Sequence, residues 1–213
     1  MSEYVSKSTL QRLPFYLDAL QTKLARGEKY ASSSQLAKEL NLNEVQVRKD
    51  LASASRSGGK PKVGYEIQEL ISDIKLFLGC HRIDKAVLVG VGSLGTALLG
   101  YKGFKDYGLE IIKAFDKNES IIGNKIKGIE ISELSSIKDT IKENNVRIGI
   151  ITVPAQYAQE VADTLIDAGV KAIWNFAPTR ITVPEEILIQ NENMASSLAV
   201  LSKHLQNKIE NEK

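Results

Sequence analysis

At 213 residues, 43% of them hydrophobic and 25% charged, the chain is an ordinary globular sequence with room for one large domain or for a small and a medium one. No apolar run approaches the roughly eighteen residues that span a bilayer, the single cysteine (Cys80) excludes an intrachain disulfide, and the first residues lack the apolar core of a signal peptide, so a cytoplasmic protein is the default expectation. The net charge of +2 hides an asymmetry: residues 1–65 carry 11 Lys/Arg against 6 Asp/Glu, and the remaining residues carry 17 against 20. A basic front end on a mildly acidic body suggests an anionic partner for the front end, the alternative being a solvated charged surface.

The spacing of Leu10, Leu13, Leu17, Leu20 and Leu24 predicts a helix over 8–25. Pro14 falls inside the pattern, and a proline suits a first turn, so the helix is free to begin near it. A second short helix follows the Ser32-Ser33-Ser34 cap and reaches Leu40. A third starts at Asn43, another cap, and runs to about Arg56. Only Asn41-Leu42-Asn43 separates them, which is the spacing of a helix-turn-helix. On a helical wheel Val47, Leu51 and Ala54 share the face that would pack inward. Gln46, Lys49, Ala52, Ser53 and Arg56 fall on the opposite face, with Arg48 at its flank. That face is cationic and short in side chain, suited to phosphates and base edges. Ser33, Ser34 and Asn43, at the starts of the two helices, join the expected DNA contacts.

Next comes Ser57-Gly-Gly-Lys-Pro-Lys-Val-Gly-Tyr65, in which Gly58-Gly59 is a hairpin-turn signal and Lys60 and Lys62 flank Pro61. A basic hairpin after a recognition helix reads as a wing whose lysines meet phosphate. The alternative is a small helical domain with a glycine-rich linker.

From Lys85 the pattern changes. Ala86-Val-Leu-Val89 suits a buried parallel strand, Gly90-Val-Gly-Ser-Leu-Gly95 follows at once, and Thr96-Ala-Leu-Leu opens a helix. In this strand-turn-helix context Gly90 makes the turn, Gly92 admits a pyrophosphate to the backbone, and Gly95 lets the helix pack on the strand. The amides of Val91, Ser93 and Leu94 lie around the phosphates. A second strand, Leu109–Asp116, ends in an acid 21 positions after Gly95. That is the place of a carboxylate that binds a ribose hydroxyl and repels a 2′-phosphate, favouring NAD over NADP; Lys117 beside it softens that preference. The alternative for Asp116 is a polar residue closing a strand.

Strands over 146–153 and 171–176, with a helix over 155–168 between them, complete a doubly wound, Rossmann-like parallel sheet. Ligands bind beyond the carboxyl ends of such strands, which puts Thr152, Val153 and Pro154, and Asn175 and Phe176, near the cofactor. Ordinary loop packing is the competing role, especially for Asn175. The last segment, 194–210, reads as a helix with Leu198, Leu201, Leu205 and Ile209 on one face. The expected organisation is α/β, with a winged helix-turn-helix over 1–79, a Rossmann-like NAD(H)-binding domain over 80–190 and a dimerisation helix over 191–213.

A dehydrogenase needs a proton donor or acceptor near the nicotinamide. His81 precedes the first strand, more than about 15 Å from the glycine turn. His204 sits in the terminal helix without an acidic partner, and Cys80 shares the end occupied by His81. There is no serine elbow and no metal-ligand cluster, so no catalytic and no metal residue is expected, and NAD(H) reads as a ligand rather than a reactant. An NAD-dependent oxidoreductase with an accessory domain, and an NAD-binding scaffold without DNA activity, remain the alternatives on these residues.

Several stretches together resemble the Rex family of redox-sensing transcriptional repressors. They are Gln11-Arg-Leu-Pro-Phe-Tyr16, Val45-Gln-Val-Arg-Lys-Asp-Leu51, Val63-Gly-Tyr65, Gly90–Gly95 with Tyr101, Ala114-Phe-Asp116, Thr152-Val-Pro154 and Trp174-Asn-Phe-Ala-Pro178. The resemblance covers almost the whole chain. It implies a homodimer with exchanged C-terminal helices that binds a palindromic operator and is released by NADH. It also implies that NAD+ competes for the same site while remaining compatible with DNA, and that Tyr101 lies near the nicotinamide. The sequence departs from the family in two places. Many members have Ser-Tyr-Phe-Gly where this chain has Ala52-Ser-Ala-Ser55, with a wing longer by one residue, and many have an acid where this chain has Asn193.

Overall fold

The leucine ladder winds into helix α1 (Lys7–Ala25), which runs straight through Pro14 rather than starting there. A proline inside a helix costs about 3 kcal/mol or more. Two features offset it. Ser6 caps the helix, its hydroxyl accepting from the Thr9 amide at 3.1 Å. Thr9, Arg12 and Tyr16, which bracket Pro14, all donate to one carboxylate, Asp50, on another helix. The computed structural model describes residues 6–211. It divides into two units, one ending at Arg82 and one beginning at Ile83, a few residues beyond the boundary expected at 79/80.

In the first unit α1 is followed by strand β1 (Tyr30–Ala31), helices α2 (Ser33–Glu39) and α3 (Glu44–Ala54), strand β2 (Tyr65–Glu66) and helix α4 (Ile67–Phe77). Ser32 and Gln35 form a reciprocal capping box on α2. Asn41 turns the chain at a left-handed φ of 52°, and Asn43 caps α3 through the amides of Val45 and Gln46. Val47, Leu51 and Ala54 face a core of Leu13, Leu17, Leu20, Leu36, Leu70 and Ile74. β1 pairs antiparallel with β2. The turn of the wing is Pro61-Lys62-Val63, closed by Lys60 and Gly64, and not Gly58-Gly59 as the glycine pair suggests. Lys62 itself supplies the left-handed φ, 63°, that the turn requires. Gly64 is needed for a different reason: a Cβ there would meet the Ala31 carbonyl oxygen of β1.

The second unit contains strands β3 (Asp84–Val89) and β4 (Leu109–Phe115) joined through helix α5 (Ser93–Leu99), a hairpin of β5 (Lys125–Ile126) and β6 (Ile129–Ser132), and helix α6 (Ile137–Asn144). Strand β7 (Ile148–Ile151), helix α7 (Ala158–Ala168), strands β8 (Ala172–Asn175) and β9 (Leu188–Asn191) and helix α8 (Met194–Asn211) complete it. The sheet order is β5-β6-β4-β3-β7-β8-β9, parallel except for β5. The order reverses at β3, which lies between β4 and β7, so the crevice opens at the carboxyl ends of these three strands. Val87, Val89, Phe115 and Ile151 pack under α6 and α7. Ala86, Leu88, Ile111 and Ile150 face the other way, toward Leu99 of α5 and Phe104. Helix α8 is capped by Asn193, whose side-chain oxygen accepts from the Ser196 amide. Its stripe of Leu198, Leu201, Leu205 and Ile209 is 48–64% exposed. No helix among the described residues is long and apolar enough to cross a membrane.

Asp50 is 4% exposed and receives Arg12 Nε at 2.7 Å, Arg12 Nη2 at 2.9 Å, Tyr16 Oη at 2.8 Å and Thr9 Oγ1 at 3.0 Å. Burial alone would raise its carboxyl, but these donors outweigh it and hold Asp50 below the usual carboxylate range. Burial first, and the bond to Asp50 next, push the Tyr16 phenol up to about 12. The signs set two pH windows. Asp50 contributes stability in full above about pH 4, and this is lost as the pH falls through its lowered value. Tyr16 contributes in full below about pH 10, and this is lost as the pH rises toward about 12. Asp50→Asn is expected to destabilise the protein by roughly 3 kcal/mol at pH 7 in urea unfolding. The gap to the wild type should narrow below about pH 4; equal midpoints at pH 7 would refute this account.

Candidate nucleotide and nucleic-acid sites

The glycine turn between β3 and α5 is held from three sides. Gly90 adopts φ 101°, and a Cβ there would sit 2.8 Å from both the Thr152 backbone and Val153 Cγ1. A Cβ on Gly95 would run into the Gly90 carbonyl oxygen, so only glycine lets α5 approach the turn. Gly92 is different, because a Cβ there meets nothing within 4 Å. The free space lies in front of the turn, where a ligand would come. Thr152 pins the turn from β7, its hydroxyl donating to the Gly90 carbonyl at 2.5 Å. Asp116 closes it from β4: Oδ2 accepts from the Val91 amide at 2.6 Å and Oδ1 from the Asn118 amide at 2.9 Å.

In front of this frame lies a cleft of about 620 Å³, within the usual range for a small-molecule site. Of the residues expected at the cofactor, the cleft brings together Gly90, Gly92, Asp116, Lys117, Thr152, Val153 and Pro154. Ser93, Leu94 and Gly95 form the first turn of α5, and Val91 is buried beneath it. Lys117 Nζ lies 3.9 Å over the centre of the Tyr157 ring. Sequence reasoning missed Tyr157, Glu133, Leu134 and Ser135, which also line the cleft. Only Tyr157 had a usable signal, three positions after Pro154 in the loop that follows β7. The glycine cradle, the open position at Gly92 and the carboxylate at the end of β4 suit an elongated nucleotide with a ribose hydroxyl to bind.

Tyr101 stands apart from this group. It is 57% exposed and meets Phe104 edge-on at 4.8 Å, and contacts continue from Phe104 to Trp174 and from Trp174 to Phe176. The Trp174 indole donates to Glu192 at 3.0 Å, just before α8. Asn175 has no exposed surface. Its amide donates to the Thr179 carbonyl and Asn191 Oδ1, both at 2.8 Å, and its oxygen accepts from the Ala177 amide. The expectation that it reaches the cofactor gives way to a packing role, because its hydrogen-bonding groups are spent inside the fold. His81 and His204 are exposed and neither lines the cleft, and burial pushes the Cys80 thiol up, away from the reactive thiolate.

On the first unit, Gln46, Arg48, Lys49 and Ser53 lie on the exposed face of α3. The Ser53 hydroxyl turns back on the Lys49 and Asp50 carbonyls, and Asn43 spends its oxygen on the cap. Ser33 is half-buried and Ser34 exposed in the first turn of α2, and Lys60 and Lys62 are exposed on the wing. Arg56 lies beyond the end of α3 and is not a free cation. Its amide and Nε donate to Asp73 at 2.8 and 2.6 Å, while 71% of its side chain stays exposed. Burial raises the Asp73 carboxyl, and these bonds from Arg56 more than reverse the effect. Val45, 48% exposed on α3, was not anticipated, since an apolar residue on a polar face carries no signal of its own.

A winged helix with a cationic helix face, joined in one chain to a Rossmann-type sheet with a nucleotide-sized cleft, defines a two-domain regulator rather than an isolated nucleotide fold. Residues 4–52 match the family described as "Putative DNA-binding protein N-terminus", and residues 81–179 match the CoA binding domain family. The chain is 44% identical to the redox-sensing transcriptional repressor Rex of Bacteroides fragilis, over 96% of this chain and 92% of that protein. It is 43% identical to that of Treponema denticola, over 91% of each. A solved structure of RSP with β-NAD+ and operator DNA superposes with a TM-score of 0.88 at 32% identity, covering 97% of this chain and 94% of that one. RSP with β-NADH gives 0.84 at the same identity, covering 97% and 96%. The chain belongs to the Rex family of redox-sensing transcriptional repressors, whose members are named for a regulatory role and not for turnover.

The glycines separate structure from ligand space. Gly95→Ala is expected to lower stability by roughly 3 kcal/mol through overpacking, and Gly92→Ala by less than about 1 kcal/mol. Thermal unfolding of the two variants without ligand checks this; equal losses would refute the assignment.

Proposed function

We propose that this protein represses transcription as a cytoplasmic homodimer bound to a palindromic operator, and leaves the DNA when NADH binds. The observation that carries the proposal is the conjunction, in one chain, of the cationic face of α3 with the Gly92 and Asp116 frame at the switch point of the sheet. In this reading Arg48, Lys49, Lys60 and Lys62 hold phosphates, Gln46 and Val45 meet base edges, and Arg56 adds the part of its guanidinium that Asp73 leaves open. Ser33, Ser34, Asn43 and Ser53 line the approach with short polar groups. Gly90 through Gly95 cradle the pyrophosphate, with Thr152, Val153 and Pro154 behind it and Asp116 on the ribose. Tyr101 and Phe176 contribute aromatic surface on the nicotinamide side. Such a surface favours the neutral reduced ring over the cationic oxidised one.

The uncovered stripe of α8 supports the dimer, since a second copy would bury Leu198, Leu201, Leu205 and Ile209 by exchange of this helix. If NADH favours one arrangement of the dimer and DNA another, each ligand weakens the other reciprocally. A swing from mostly bound to mostly free takes a differential of roughly 5 kcal/mol.

Operator selection from random DNA, with and without NADH, tests the proposal. Saturating NADH should weaken binding of the selected fragment at least tenfold; unchanged affinity would refute it. Gly92→Ala should keep operator affinity but need at least tenfold more NADH for release. Lys49→Ala should weaken the operator about tenfold and reduce the salt slope by about one. Its NADH affinity, followed by ligand fluorescence, should stay at the wild-type value.

A further inference from the structure

Gln46 does not offer both ends of its amide to solvent. The guanidinium of Arg12 is fixed by two bonds to buried Asp50, through Nε at 2.7 Å and Nη2 at 2.9 Å, and its remaining edge faces the Gln46 amide. Only one orientation of that amide is chemically sound. With the oxygen toward the guanidinium, Gln46 Oε1 accepts from Arg12 Nη1 at 3.1 Å and Nη2 at 3.2 Å. The reverse would press an NH2 group against a cation that can only donate. The acceptor is therefore engaged, on a partner that cannot swing away without taking from buried Asp50 its counter-charge and two of its four hydrogen bonds.

What remains on the exposed face of α3 is an NH2 group. A free glutamine reads adenine by donating to N7 and accepting from N6. Gln46 lacks the second half of that contact. We infer that Gln46 is a donor-only reader, held in that polarity by Arg12. It selects a base whose major-groove edge shows acceptors and no amino donor, guanine (O6 and N7) or thymine (O4), over cytosine, which shows only a donor, and over adenine, whose N7 it can reach but whose N6 amino group finds no acceptor. Arg12 is then a positioning residue that sets a specificity without touching DNA. The inference rests on the proposal that α3 lies against DNA.

The test is selection from random DNA by the full-length protein and three variants. Gln46→Ala identifies the position concerned, where preference should relax by about tenfold. Guanine or thymine is expected there in the wild type. Gln46→Glu keeps an oxygen on Arg12 but turns an acceptor outward, so that position alone should shift to cytosine or adenine. Arg12→Lys holds Asp50 or Gln46 but not both, and should admit adenine at the same position while the rest of the selected sequence stays fixed. Adenine or cytosine in the wild-type selection, no position that responds to Gln46→Ala, or Gln46→Glu retaining the wild-type base would each overturn the inference. An Arg12→Lys selection unchanged from wild type would overturn the part assigned to Arg12. If the wild type enriches no sequence at all, the DNA-binding proposal fails instead.

Discussion

A single buried carboxylate organises the DNA-binding unit. Asp50 would cost several kcal/mol if it were buried alone. It is tolerated because Thr9, Arg12 and Tyr16 converge on it from α1. Their positions, three and four apart, put all three on one face of that helix. The same bonds tie α1 to α3 and bracket Pro14. The setting of α3 is therefore fixed by charge-assisted hydrogen bonds as well as by the apolar contacts of Val47 and Leu51. Apolar contacts alone tolerate some sliding; bonds of 2.7–3.0 Å to one carboxylate tolerate far less.

The second unit achieves a comparable fixity with backbone groups. Asp116 ties the Val91 amide and Thr152 ties the Gly90 carbonyl, so β4 and β7 both grip the turn that leaves β3. The glycines are needed where the chain comes closest, at Gly90 and Gly95, and the open position at Gly92 follows from the other two being crowded. A ligand meeting this frame finds donors already in place, which lowers the ordering cost of binding.

The parts legible in the sequence were those governed by local rules. The inward face of α3 follows from helical periodicity, and the β3 turn from the order strand, glycines, helix. The β5–β6 hairpin and β9 leave little trace in the sequence, since strands of two to four residues carry almost no periodicity. Glycine is the ordinary source of a positive φ, which points to Gly58-Gly59 as the wing turn, whereas Lys62 adopts it here. Residue type alone says what Arg56, Gln46 and Asn175 can offer, not what they meet. Their actual partners, Asp73, Arg12 and Asn191, are 17, 34 and 16 positions away, and nothing in the sequence reports such pairings.

The contact of Lys117 with Tyr157 bears on which metabolic signal this protein hears. A lysine beside the ribose-side acid is what a 2′-phosphate would look for, yet its ammonium rests on an aromatic ring while Asp116 braces the turn. A phosphorylated coenzyme would have to draw Lys117 off that ring and still face the carboxylate. The arrangement therefore tilts the site toward the unphosphorylated coenzyme, the couple of catabolism, by about the 1 kcal/mol that an exposed cation–π contact is worth.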